Sequence, residues 1–177
     1  MADPMDALFT PITPIAPRAA FAADLRRRLD AALRPEPPGG PMSLSYVPQR
    51  LHTITPYLIV HDARASIDWY QDVFGATIET EPIVMDDDRV GHVELRIGDA
   101  VFMMADEFPE MGIRGPRSLG GTSVSFVLYV EDVDVTFAYA VEHGAAVDRP
   151  VADQFHGSRA GWLVDPFGHR WNISTSL

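Results

Sequence analysis

The sequence predicts an α+β domain of two tandem β-α-β-β-β modules forming a cupped mixed sheet, preceded by an N-terminal helical extension. Three observations predict it. The stretch ITPYLIVHDARASIDWYQDVFGATIETEP, from residue 54, is echoed by SVSFVLYVEDVDVTFAYAVEHGAAVDRP, from residue 123. Within that echo Val60 and Asp62 stand seventy positions before Val130 and Asp132, Gly75-Ala76 matches Gly144-Ala145, and Pro82 matches Pro150. Each copy then continues into two further apolar runs, and such self-similarity marks one supersecondary unit used twice.

Residues 1–50 differ in character from the rest. PITPIAP is too proline-rich for regular structure, and PRAAFAADLRRRLDAALRP, residues 17–35, reads as a helix opened by Pro17 and ended by Pro35. Phe21, Leu25, Leu29 and Leu33 form an apolar stripe that Arg26 and Arg27 avoid. PEPPGGP, 35–41, is a linker. One helix cannot bury its own stripe, so it is expected to dock on the main domain or a second subunit. Asp24 and Asp30 count against a membrane surface.

The body, 51–177, divides into modules of about 51–111 and 122–177, joined by the Gly/Pro-rich GIRGPRSLGGT, 112–122. Each opens with a strand, 54–60 or 123–130. An aspartate then caps a helix, whose buried face is Ile67, Tyr70 and Phe74 in the first copy and Val133, Phe137, Ala140 and Val141 in the second. A glycine ends each helix. The remaining strands are GHVELRIGD and AVFMMADE (91–99, 100–107) in the first module, SRAGWLVDP and HRWNIST (158–166, 169–175) in the second. Between the last two, Asp165, Pro166 and Gly168 have the chemistry of a tight turn. MDDDR, 85–89, lacks the ligand spacing of a calcium loop and reads as a solvated connection.

Alternation along the strands sorts their faces. Ile54, Pro56, Leu58 and Val60 oppose Thr55, Tyr57 and Ile59; Val93, Leu95 and Ile97 oppose His92, Glu94 and Arg96. In the second module Val124, Phe126, Leu128 and Val130 oppose Ser123, Ser125, Val127 and Tyr129, and Trp171 and Ile173 oppose Arg170, Asn172 and Ser174. The apolar faces belong under the helices. The mixed faces combine apolar wall with a few polar groups, as a ligand cup does.

The totals narrow the function. The chain has 177 residues and a net charge of −11, so a nucleic-acid partner, which needs a basic face, is not expected. There is no cysteine and no lysine, which removes disulfides, thiolate metal sites, cysteine nucleophiles and Schiff-base chemistry. No apolar run is long enough to span a bilayer, and the acidic N-terminus does not read as a secretory signal, so a cytoplasmic protein is expected.

The paired modules, the helix entry HDARASIDWYQDVFGA and the close DPFGHRWNIS resemble the vicinal oxygen chelate superfamily over residues 51–177. This is the group of glyoxalases, extradiol dioxygenases, fosfomycin-resistance enzymes and bleomycin-binding resistance proteins. The resemblance implies that a metal-dependent member holds one divalent ion with four side chains, His or Gln, Glu, His and Glu, from the first and last strands of each module. Those positions map to Thr55, then Phe102 or Met103, then Ser125, then Asn172. None supplies the imidazole or carboxylate that Zn, Ni, Fe or Mn requires, so no metal cofactor is expected.

The resemblance to bleomycin-type proteins implies a protein that sequesters a small organic molecule, usually as a homodimer sharing the cup. The candidate ligand-binding residues are Thr55, Tyr57, His92, Met103, Ser125, Tyr129, His156, Trp162 and Asn172. The alternative is a glyoxalase-like lyase, isomerase or dioxygenase using a relocated metal or His92 as acid–base, with Glu94 orienting it. The plainer reading of His92 and Glu94 is a hydrogen-bonded pocket wall, with Arg96 and Arg170 as ion-pair partners. His61 and His143 are expected at the surface, His169 in the turn, and Trp171 in the core.

Overall fold

The computed structural model describes residues 47–155 and 157–177. The expected helix 17–35, the linker 35–41 and His156 lie outside the described residues. The first module runs β1 (Tyr57–Val60), α1 (Ala63–Phe74), β2 (Thr77–Val84), β3 (Val90–Ile97) and β4 (Ala100–Asp106). A 3-10 turn, Pro109–Met111, and a short helix α2 (Pro116–Leu119) occupy the connection. The second module runs β5 (Ser125–Tyr129), α3 (Val133–Glu142), β6 (Ala146–Gln154), β7 (Ser158–Val164) and β8 (Arg170–Ser176). The twofold β-α-β-β-β order is as the repeat predicts.

The long helix of each module starts where the aspartate places it. Asp62 accepts from the Ala65 amide at 3.0 Å and Asp132 from the Val135 amide at 3.1 Å, satisfying donors that lack an intrahelical partner. Gly75 closes α1 with φ of 65°, a left-handed backbone that a Cβ disfavours.

The strands form two four-stranded sheets, ordered β1-β4-β3-β2 and β5-β8-β7-β6. In both, the first strand is an edge and pairs in parallel with the fourth, and the other pairings are antiparallel. The opening strands are shorter than expected. Ile54 and Pro56 precede β1, since Pro56 has no amide to give the ladder, and its carbonyl alone accepts from Met103. Val124 precedes β5 and is exposed, and Phe126 is half-buried.

The helix-side faces of both sheets join one core. Tyr70 of α1, fully buried, has ring contacts with Phe74 and Phe102 of its own module and with Phe167 and Trp171 of the other. Its hydroxyl donates to Asp165 Oδ2 at 2.6 Å, and the Trp171 indole N–H donates to the same oxygen at 2.8 Å. Asp165 Oδ1 accepts the Phe167 and His169 amides, both at 2.9 Å. The DPFG turn is therefore both a turn and the polar centre of the inter-module core. His169 is part of it: its Nε2 donates to the Ile59 carbonyl at 3.2 Å, and burial pushes its imidazole pKa down, favouring the neutral ring.

Candidate functional site

In the first sheet Tyr57, Met103 and Glu94 lie side by side, in register across β1, β4 and β3. This settles the one-residue ambiguity of the sequence: Met103 shares the mixed face, while Phe102 turns to the helix side and packs on Tyr70. Tyr57 and His92 share a hydrogen bond, 3.0 Å from the phenol oxygen to Nδ1. The other imidazole nitrogen lies 3.8 Å from Glu94 Oε1. Burial raises the Tyr57 pKa, so the phenol stays protonated and able to donate.

Glu94 is almost wholly buried and is neutralised from an unexpected direction. Arg50 grips it with two bonds, Nε to Oε2 at 2.6 Å and Nη2 to Oε1 at 2.9 Å. The expected partners are committed elsewhere, Arg96 to Glu79 at 2.7 Å and Arg170 to Asp148 at 2.6 Å. Arg50 falls in the segment the sequence assigns to the extension, and no periodicity marks an ion pair to a residue forty-four positions away.

The Arg50 bonds hold the Glu94 carboxyl below the usual carboxylate range. A depressed pKa contributes stability above the unfolded-chain value, and that contribution is lost as pH falls through the folded value. Melting temperatures taken from about pH 6 to pH 3 should fall more steeply for the wild type than for Glu94→Gln. Parallel curves would contradict this.

On the second mixed face Ser125 pairs in register with Arg170, and Val127 with Asn172, which in turn pairs with Trp162. The Arg170 guanidinium lies 3.8 Å over the Trp162 ring and donates to Ser125 Oγ at 3.2 Å. Asn172 is buried and its amide donates to the Gly161 carbonyl at 3.3 Å. Tyr129 is 70% exposed at the end of the strand. Thr55 stands apart, ahead of β1 and half-buried, with its hydroxyl turned back to the His52 carbonyl at 2.9 Å.

The structure thus collects the expected residues into two groups. Tyr57, His92, Glu94 and Met103 lie on one sheet; Ser125, Trp162 and Asn172, with Tyr129, lie on the other. No hydrogen bond or ring contact among the described residues joins them. Cavities among the described residues lie at and behind these faces. An open cleft of about 830 Å³ follows the seam between β1 and β5 beneath the connector, reaching Tyr57, Arg114, Phe126 and His169. A second, of about 250 Å³, lies on the helix side of the sheets against Leu58, Phe102 and Trp171. A slot of about 200 Å³ lies beside Tyr57, walled by Met85, Phe108 and Met111, residues that face alternation alone did not mark because they sit on connections.

The four positions that would hold a metal ion in the resembled enzymes carry a hydroxyl, a thioether, a hydroxyl and an amide. Two of them already donate to backbone carbonyls. That donor set does not fit a divalent transition metal. Among the described residues no three His, Asp or Glu side chains converge as a metal-holding group, and no helix is long and apolar enough to cross a membrane.

Comparison with known proteins adds a family and a fold. The sequence pattern of the "Glyoxalase/Bleomycin resistance protein/Dioxygenase superfamily" matches residues 50–173. The uncharacterized protein Rv0887c of Mycobacterium tuberculosis is 40% identical over 123 residues, 68% of this chain and 72% of that one. Among solved structures, protein PA1353 of Pseudomonas aeruginosa is 25% identical with a TM-score of 0.57, covering 70% of this chain and 96% of its own. A superfamily member from Sphaerobacter thermophilus is 22% identical with a TM-score of 0.54, covering 71% of this chain and 96% of its own.

Proposed function

Since the chain belongs to the glyoxalase/bleomycin resistance protein/dioxygenase superfamily, we propose that it binds a small organic molecule on its mixed sheet faces without a divalent metal. The observation that carries this is the donor set Thr55, Met103, Ser125 and Asn172. Hydroxyls, a thioether and an amide suit an organic ligand, whereas a metal wants imidazole and carboxylate. Protein purified without chelator or a metal-binding tag should contain far less than one metal ion per chain by elemental analysis. It should also gain thermal stability with at least one class of aromatic or cationic ligand. Stoichiometric Zn, Ni, Fe or Mn would overturn the reading.

The cup is completed by a second copy of the chain. Tyr57, Val127 and Tyr129 are 48%, 55% and 70% exposed, an apolar set that a monomer would leave in water. A twofold dimer that brings the first mixed face of one protomer against the second mixed face of its partner covers both at once. Sedimentation at micromolar concentration should give a dimer, and Val127→Asp should shift it to monomer with an unchanged far-ultraviolet spectrum. A wild-type monomer would contradict the arrangement.

One observation favours a catalytic alternative, a glyoxalase-like lyase or isomerase. The Tyr57–His92 bond, with Glu94 behind it, is the geometry of an oriented acid–base pair. Glu94 is held by Arg50, so His92 is the group that would exchange the proton. Turnover abolished by His92→Gln with ligand affinity retained would favour this alternative over sequestration.

A further inference from the structure

We propose that the slot beside Tyr57 is a subsite for a single aromatic ring carrying an oxygen that accepts a hydrogen bond. The inference rests on the reading of the mixed face as a ligand surface, and it names the ligand class. Ile59 and Ala105, neighbours in register on β1 and β4, line the slot, with Met85, Phe108 and Met111 as walls. Its volume of about 200 Å³ suits one ring. An apolar cavity of about 150 Å³ already admits benzene, so a ring with one substituent is accommodated.

The chemistry of the walls points the same way. Met85 comes from the β2–β3 turn and Met111 from the 3-10 turn, and they are 46% and 70% exposed. Methionine is deformable and makes favourable contacts with aromatic rings, so two of them can close on a flat ligand. Gly91 gives Met85 its seat, because a Cβ there would lie 2.7 Å from the Met85 sulfur. The cation that packs on the slot wall is already committed. Arg89 lies 4.0 Å over the Phe108 ring and donates to Asp87, to Glu110 and to the Glu107 carbonyl.

The directional group is at the slot's edge. Tyr57 lines the slot and bonds His92. When His92 Nδ1 carries the proton, the phenol oxygen accepts from it, and its own O–H, which reaches the Gly91 carbonyl only at a long 3.4 Å, can turn to a ligand oxygen instead. A phenol or aryl carbonyl whose ring enters between the methionines presents its oxygen to that donor. A purely hydrocarbon ring fills the slot and leaves that O–H on its long bond to the Gly91 carbonyl.

The test uses the full chain with methionine methyl groups labelled with carbon-13, assigned by single Met→Leu substitutions and titrated with p-cresol and with toluene. Both ligands should shift the Met85 and Met111 methyls saturably and leave Met104, fully buried on the opposite face, unmoved. p-Cresol should bind about fivefold more tightly than toluene, the worth of one net hydrogen bond. Tyr57→Phe should abolish that preference with toluene affinity unchanged. Met111→Glu, at an exposed position, should weaken both ligands. Absence of saturable shifts at Met85 and Met111, or a preference that survives in Tyr57→Phe, would overturn the proposal. If another organic ligand stabilises the protein while p-cresol leaves these methyls unmoved, this subsite falls and the broader binding reading stands. Stoichiometric metal would instead overturn the metal-free reading.

Discussion

Asp165→Ala is expected to destabilise the protein by about 4 kcal/mol, the largest effect of any single substitution considered. The carboxylate accepts four hydrogen bonds, from the Tyr70 hydroxyl, the Trp171 indole and the Phe167 and His169 amides. All four donors belong to buried residues. Each donor left without a partner costs about 1–3 kcal/mol. The losses do not add fully, because the donors share one acceptor and the pocket relaxes as a unit. Asp165→Asn keeps the shape but has one acceptor oxygen and presents an NH₂ to donors, so about half the loss remains. Urea unfolding measures both. Tyr70→Phe alone should cost about 1.5 kcal/mol and much less in the Asp165→Ala background. A full additive cost there would mean that the two side chains do not act together.

Gly115→Ala is expected to cost about 3 kcal/mol, the upper part of the range for overpacking. Gly115 has φ of −90°, so backbone strain is not the reason. A Cβ there would overlap the Ile59 carbonyl oxygen and come within 3.1 Å of its carbon. Both atoms are backbone of β1 and cannot rotate aside, so the connector must move. Movement breaks the bond from the Gly115 amide to Glu107 Oε1, at 2.6 Å, and strains the Ser118 hydroxyl bond to the same carboxylate, at 2.8 Å. The connector also roofs the seam cleft, so the variant should combine a lower urea midpoint with faster proteolysis between residues 112 and 122. An unchanged midpoint would show that the connector is free to shift.

The fold was legible because its signals are local and repeated. Aspartate caps, helix-ending glycines and strand alternation each act within a few residues, and finding them twice at one spacing makes the reading redundant. Alternation also placed Tyr57, His92 and Glu94 on one face. What escaped the sequence depends on contacts across long separations. Asp165 reads as a turn residue, and only the packing of α1 against β8 turns it into the acceptor for Tyr70. Arg50 reads as tail, and only the bend ahead of β1 brings it to Glu94. Met103 against Phe102 needed the β3–β4 register, because a shift of one residue exchanges the faces. Alternation sorts faces within a module and is silent on how two modules turn against each other, so it could not say that the two mixed faces lack a direct contact in one chain.

The bond between Tyr70 and Asp165 has a consequence for the order of synthesis. Ninety-five positions separate the two residues. At about 5–20 residues per second the ribosome takes roughly 5–20 s to travel that distance. Until then the nascent first module carries Tyr70, Phe74 and, once it is made, Phe102 with no DPFG turn or Trp171 to cover them. The N-terminal half therefore emerges with its future core open to water and completes its fold only when the last two strands leave the exit tunnel. Such exposed apolar surface is aggregation-prone, so a message truncated before residue 165 is expected to yield a product that aggregates instead of a working half.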